Sequence, residues 1–218
     1  MLNVALGRVS VLIALNIHSH TQKFRKNSKL EAIKEEVKAL HDASPDECMR
    51  TWFYEGHVAL VARNAQEIAE KVDCNVEISV LASLFHDIAR TWGVKDDPEL
   101  MNESLAKAEE LMKQHGYSED EVEQVKQAIL PHSCREKAPH TEEGKVLATA
   151  DALAHLLSDF YFILPFYGWL TAAKDFEGYR SWLLEKIERD MHKKIFYDEY
   201  KDRARPKYEA MKTAFTSS

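Results

Sequence analysis

Glycine and proline are scarce, seven and six among 218 residues. So little turn-forming material argues against many short strands and tight hairpins, and it favours long helices with short connections. No stretch shows the sustained apolar-polar alternation of a half-buried strand. Long apolar runs are also lacking: "VSVLIAL" near the N-terminus is far short of the roughly 20 residues a membrane helix needs. The three cysteines, Cys48, Cys74 and Cys134, are an odd number with no CxxC pair. A disulfide framework and a thiolate metal site are thereby disfavoured, and a reducing, cytoplasmic setting is expected. Positive charge is in deficit as well. A net charge of −7 gives no reason to expect nucleic-acid backbone binding, although a local cation cluster can still hold a small anion.

What is present reads as helix after helix. Leu30, Ile33, Val37 and Leu40 recur at the three- and four-residue steps of an amphipathic helix. "SPDE" at 44–47 reads as a capping box with Ser44 as acceptor, opening a long helix to about Lys71. A very apolar helix follows, expected to end near Trp92-Gly93. A fourth stops at Gly116, "SEDE" at 118–121 opens a fifth, and Thr141 caps a sixth. The expectation is all-α: a leader over 1–27, loosely packed and without a convincing cleavage site, then one helical domain over 28–218. From about 160 the domain carries an aromatic helical extension. Its segment "DFYFILPFYGW" at 159–169 is read as extra core or a homodimer contact rather than a substrate wall.

Several polar residues fall on apolar helix faces. His57 shares a face with Phe53, Val61 and Asn64, and His86 lies over the small Ala82 and Ser83. Asp87 follows directly in "SVLASLFHDIAR", and Asp151 sits in "TADAL" between Leu147 and Ala154. Singly, each reads most simply as a hydrogen-bonded core residue. The adjacent His-Asp pair changes that reading. An ionised carboxylate in an apolar helix costs several kcal/mol unless positive charge matches it. A divalent cation supplies that match, and imidazole with carboxylate suits Mn, Fe, Co, Ni or Zn.

The order "YEGHVALVARNAQEIAE", "ASLFHDIAR", "ATADALAHL" resembles the H…HD…D signature of the HD-domain superfamily of metal-dependent phosphohydrolases. The resemblance runs from about Ser44 to about Leu157. The upstream histidine stands 29 residues before the HD histidine, and the last aspartate 64 after the HD aspartate. It implies an HD-type helical bundle holding one or two divalent transition-metal ions. His57, His86, Asp87 and Asp151 would be the ligands, joined by His115 and His132 if a second ion binds. Arg90, four residues after the HD histidine, would hold phosphate. His132, in a segment similar to the family's "I-x-x-H-S", would donate a proton to the leaving group if only one ion is present. The implied activity is hydrolysis of a phosphate ester of a nucleotide or other small molecule, with no nucleic-acid or membrane partner. Two alternatives are an HD-fold di-iron oxygenase with the same six-residue ligand set and a non-catalytic nucleotide-binding HD module. "TADALAHL" lacks the flanking acids common in related small proteins, so substrate preference is not carried over.

Overall fold

One helix organises the molecule. Every residue from Val146 to Leu156 is buried in the helix Glu142–Leu157, and a helix apolar all round must be covered on all sides. Ala148, Ala150, Ala152 and Ala154 are short enough to let its neighbours approach closely. The computed structural model describes residues 28–95, 97–168 and 175–216. The leader expected over 1–27 lies outside the described residues.

We label the helices in chain order: α1 (28–42), α2 (47–72), α3 (Val76–Phe85), α4 (Asp97–Gln114), α5 (Glu119–Ile129) and α6 (Glu142–Leu157). They are followed by α7 (Phe160–Ile163), α8 (Phe176–Arg189) and α9 (Asp198–Thr216). No strand occurs among the described residues, and the fold is all-α as expected. Helix α6 packs against α2, α3 and α5 on one side and against α9 and the turn Asp190–Lys194 on the other. No single helix among the described residues is long and apolar enough to cross a membrane.

Helix starts follow side-chain chemistry. Ser118 and Glu121 form the expected capping box, and the Thr141 hydroxyl accepts from the Gly144 amide at 3.1 Å. The start of α2 corrects the sequence reading. Asp46, not Ser44, supplies the cap, accepting the Met49 amide at 3.2 Å, while Ser44 accepts the Asp46 amide one step earlier. Both acceptors lie within three residues, and the carboxylate sits nearer the first free N–H groups.

Helix α2 is wound in two ways. Met49–Val58 is a π-helix, and Ala59–Val72 is α-helical. Extended π-winding is rare and frequently marks a functional site; His57 lies in this stretch. Gly56 lies against Trp52 there: a Cβ on Gly56 would stand 2.3 Å from the indole Cε2. Gly56→Ala gains roughly 1 kcal/mol of helix propensity, but displacing a packed indole costs about 1–3 kcal/mol. The variant is therefore expected to be less stable in urea unfolding and to show altered Trp52 fluorescence. Equal or greater stability would contradict this packing.

The apolar third helix also ends earlier than its sequence suggests. Helix α3 stops at Phe85, His86 is its last helical residue in conformation, and Asp87 (φ −130°, ψ 19°) leaves helical geometry. A 3₁₀ turn, Ile88–Trp92, then runs to Gly93, whose φ of +91° suits glycine. Ser104 of α4 accepts the Ala89 amide at 3.2 Å and secures this turn. The HD pair thus sits on a helix break, and the break sets where each side chain points.

Candidate metal centre

Four elements deliver side chains to one place. The π-helical part of α2 brings His57, the end of α3 brings His86 and Asp87, and the segment after α5 brings His132. Helix α6 brings Asp151 and, one turn on, His155. Asn64 of α2 donates to the Ala150 carbonyl at 3.2 Å, fixing α2 against α6 beside Asp151. His57, His86, Asp151 and His155 are 1%, 2%, 3% and 5% exposed, so the pairing of every polar atom matters energetically.

The atoms converge without bonding one another properly. Asp151 Oδ1 lies 3.2 Å from His155 Nε2, 3.4 Å from His57 Nε2 and 3.8 Å from His86 Nε2. Yet Asp151 Oδ1 is buried with no hydrogen-bond partner, as is His57 Nδ1. His57 Nε2 and His86 Nε2 are 3.3 Å apart. Donors around a first-row ion at about 2.1 Å lie roughly 3.0–3.4 Å from one another, which matches the 3.2, 3.4 and 3.3 Å separations, while the 3.8 Å to His86 is longer. Two groups have the spacing to hold an ion: His57, Asp151 and His155, and beside them His86, Asp87 and His132. The site fits a divalent metal.

Hydrogen bonds behind the rings set their tautomers. His86 Nδ1 faces the Ser83 carbonyl at 2.8 Å, and His132 Nδ1 faces the Ile129 carbonyl at 2.7 Å. A carbonyl only accepts, so each Nδ1 carries the hydrogen and each Nε2 keeps its lone pair for the site. Burial pushes His132 down to about 4 and His57 well below the usual histidine value. These are neutral imidazoles arranged as ligands.

Asp87 and Asp151 are held ionised. Burial alone would raise both, but the Arg90 guanidinium outweighs it at Asp87, and the Lys194 ammonium pulls Asp151 the same way. Arg90 donates from Nε to Asp87 Oδ2 at 2.8 Å. Lys194 donates to Asp151 Oδ2 and is itself 2% exposed. Thr149 locks the lysine's segment to α6, accepting the Phe196 amide at 3.1 Å and donating to the Lys194 carbonyl at 3.2 Å.

His115 is the residue that the site does not recruit. It ends α4 and pairs with Glu36 of α1 at 2.8 Å, away from the cleft. Its place in the chain order matched the two-ion pattern, but the direction in which α4 runs takes it elsewhere. His155 and Lys194 are the residues that sequence reasoning missed. The signal for His155 was present, because it stands four residues after Asp151 on the same helical face. Lys194 lay in the charged run "RDMHKK", with nothing local to mark it as buried.

The donors open into a cleft of about 850 Å³. Seven lysines and arginines (Arg90, Lys95, Arg135, Lys137, Lys186, Arg189 and Lys194) line it against three carboxylates, Asp87, Glu136 and Asp151. The chain is acidic overall, so the cleft reverses its sign locally. Phe160 also lines the cleft, packing on His155 with ring centroids 4.2 Å apart. The aromatic segment is thus partly core, at Phe160, Tyr161 and Leu164, and at Phe160 it is also site wall. Trp169 of that segment lies outside the described residues.

A helical core presenting histidine and aspartate donors from separate helices defines a metal-site class of all-α protein. Residues 54–156 match the family model of the HD domain, and that stretch of the chain is an HD domain. No curated protein matches it. Among solved structures, selenomethionine YpgQ from Bacillus subtilis is similar in fold. Its TM-score is 0.62 at 19% identity, over 88% of this chain and 95% of that one. A structure described as a predicted HD superfamily hydrolase, from an uncultured Thermotogales bacterium, is 26% identical. It covers 58% of this chain and 68% of its own, with a TM-score of 0.47.

Proposed function

We propose that the chain is a metal-dependent hydrolase acting on a phosphate ester of a nucleotide or another small phosphorylated molecule. The observation that carries this reading is the pairing of an unsatisfied His/Asp donor set with a cation-lined cleft in an otherwise acidic protein. HD-domain membership supports it, since the H…HD…D motif resembles that of metal-dependent phosphohydrolases.

His57, His86, Asp87 and Asp151 would hold the ion, with His132 available beside His86 and Asp87. A divalent ion in such a site lowers the pKa of water and offsets charge on phosphoryl oxygens. The chain's own part is binding and orientation. Asp87 anchors Arg90 at the cleft, which aims its planar guanidinium. Arg189 lines the same cleft with a buried Nε that has no hydrogen-bond partner, a donor suited to a substrate oxygen. Phe160 and Trp182 add apolar surface to the cleft lining, against which a nucleobase or sugar can pack.

The test is phosphate release from a panel of nucleotides and sugar phosphates with added Mn or Co, comparing wild type with Asp87→Ala. Release that vanishes in the variant supports a hydrolase at this site. No release from any compound by the metal-bound wild type would refute it, and tight nucleotide binding without turnover would favour the non-catalytic module instead. The oxygenase alternative drew on a six-residue ligand set that included His115, which is paired with Glu36. A further expectation concerns Arg189→Met. Losing one charge-assisted hydrogen bond of about 1.5–3 kcal/mol raises KM roughly 10- to 100-fold and leaves metal affinity unchanged. Unaltered KM would remove Arg189 from substrate binding.

A further inference from the structure

His155 belongs to neither the H nor the HD nor the D of the motif, yet it occupies the same buried floor as they do. Its ring stacks on that of His57, with centroids 4.9 Å apart and planes within 3°. Its Nε2 is 3.2 Å from Asp151 Oδ1. That oxygen has no hydrogen-bond partner, so Nε2 is beside the carboxylate without donating to it. Both atoms instead face a common point.

Behind the ring stands a carboxylate. His155 Nδ1 lies 3.0 Å from Asp190 Oδ2, and Asp190 is fully buried. The same oxygen accepts from the Tyr161 hydroxyl at 2.6 Å and from Lys186 Nζ at 3.4 Å, and Lys194 stands 3.8 Å from Oδ1. Lys186 Nζ is also 3.1 Å from His155 Nδ1. A carboxylate that takes the Nδ1 hydrogen fixes the ring plane and turns the Nε2 lone pair inward, the arrangement found behind metal-ligating histidines. Asp190 is so firmly bonded that it has little freedom to turn away. The only competing arrangement has Lys186 donating to Nδ1, which would place the hydrogen on Nε2 and block ligation.

Building on the metal site of the proposed hydrolase, we propose that His155 is an additional metal ligand of this chain, oriented by Asp190. His57, Asp151 and His155 then form one donor group, alongside His86, Asp87 and His132. Asp190 is a positioning residue, acting through the His155 ring.

The proposal is tested by metal binding rather than by turnover. Chelator-treated protein is titrated with Mn or Co by calorimetry, and the visible absorption of the Co-loaded form is recorded. His155→Gln is expected to weaken binding at least about 10-fold and to change the Co spectrum. Asp190→Asn, which keeps the imidazole, is expected to weaken binding by roughly 10- to 100-fold, the range typical of lost orienting partners. His140→Gln, at an exposed position lining the same cleft, is expected to change neither. Unchanged affinity and spectrum in His155→Gln would overturn the proposal while leaving the hydrolase reading intact. A wild type that binds no metal would overturn both. Should His155→Gln fail to fold, the wild-type Co form decides by proton NMR. A paramagnetically shifted, slowly exchanging imidazole N–H that is lost in Asp190→Asn supports ligation by His155. Absence of that signal refutes it.

Discussion

Asp151→Asn is expected to release phosphate about a thousandfold more slowly than wild type, because losing several kcal/mol of metal-derived stabilisation has that consequence. Asparagine keeps the shape of the side chain and removes its charge. The donor set then keeps its imidazoles but loses the one carboxylate that, among the described residues, lies within 4 Å of three of them. A second effect accompanies the first. Lys194, 2% exposed, loses its closest partner, and breaking a buried ion pair costs about 3–5 kcal/mol. A single variant therefore mixes catalysis with stability. The double variant Asp151→Asn/Lys194→Met separates them, since removing both charges avoids stranding one. It is expected to recover much of the lost stability in urea unfolding and none of the phosphate release. Recovery of both would mean that Asp151 matters only as a partner for Lys194, and near-normal release from Asp151→Asn alone would remove Asp151 from the site.

The pairing of Asp151 with Lys194 also shows where the sequence stops being legible. Local signals carried far. The apolar steps of α1, the capping box at Ser118 and the cap at Thr141 are contacts within one turn, so spacing suffices to find them. His57, His86, Asp87 and Asp151 were findable because polar groups on apolar faces need a reason to be there. His132 came from the same interval by motif and is in the site. His115 shared its interval but not its location, because chain order says nothing about which way α4 runs once it leaves the HD break. The break itself was hidden: "FHDIAR" is apolar enough to continue a helix, and what ends it is the geometry around Asp87 and the hold of Ser104 on Ala89. Lys186, Asp190 and Lys194 were the least visible. Their spacing is that of a solvated helical face, and only the packing of the turn Asp190–Lys194 onto α6 buries Asp190 and Lys194, with Lys186 half-buried beside them. That burial accounts for the opposing shifts. Lys186 is lowered to about 8, chiefly by desolvation, whereas in Lys194 the attraction of Asp151 and Asp190 overcomes the same desolvation and raises it.

Acid should unfold the metal-free protein well before its carboxylates protonate. Burial lowers His41 and His132 from 6.5 to about 4, and it lowers His57 and His155 in the same direction. The fold accepts these rings neutral. Below pH 6.5 the unfolded chain takes up protons that the folded one does not, so stability that is complete above pH 6.5 drains away as pH falls toward 4. A shift of that size is worth roughly 3 kcal/mol per histidine, against a total of about 5–15 kcal/mol for a typical domain. Asp87, Asp151 and Asp190 are lowered instead, after burial's opposing push, with Arg90 beside Asp87, Lys194 beside Asp151 and Lys186 beside Asp190 supplying permanent positive charge. Their contribution persists to lower pH and is lost only below the usual carboxylate range. Metal should move the transition to lower pH, since a bound ion holds imidazole nitrogens against protons. His41 tells the two sources apart. It stacks on Phe53 with centroids 6.0 Å apart, both of its ring nitrogens lack partners, and it is outside the donor groups. His41→Phe should recover about 2 kcal/mol at pH 5 with or without metal, and should leave pH 8 stability nearly unchanged. Urea unfolding across this range decides the matter: a metal-free protein equally stable at pH 7 and pH 4.5 would mean that these rings are not held neutral by burial.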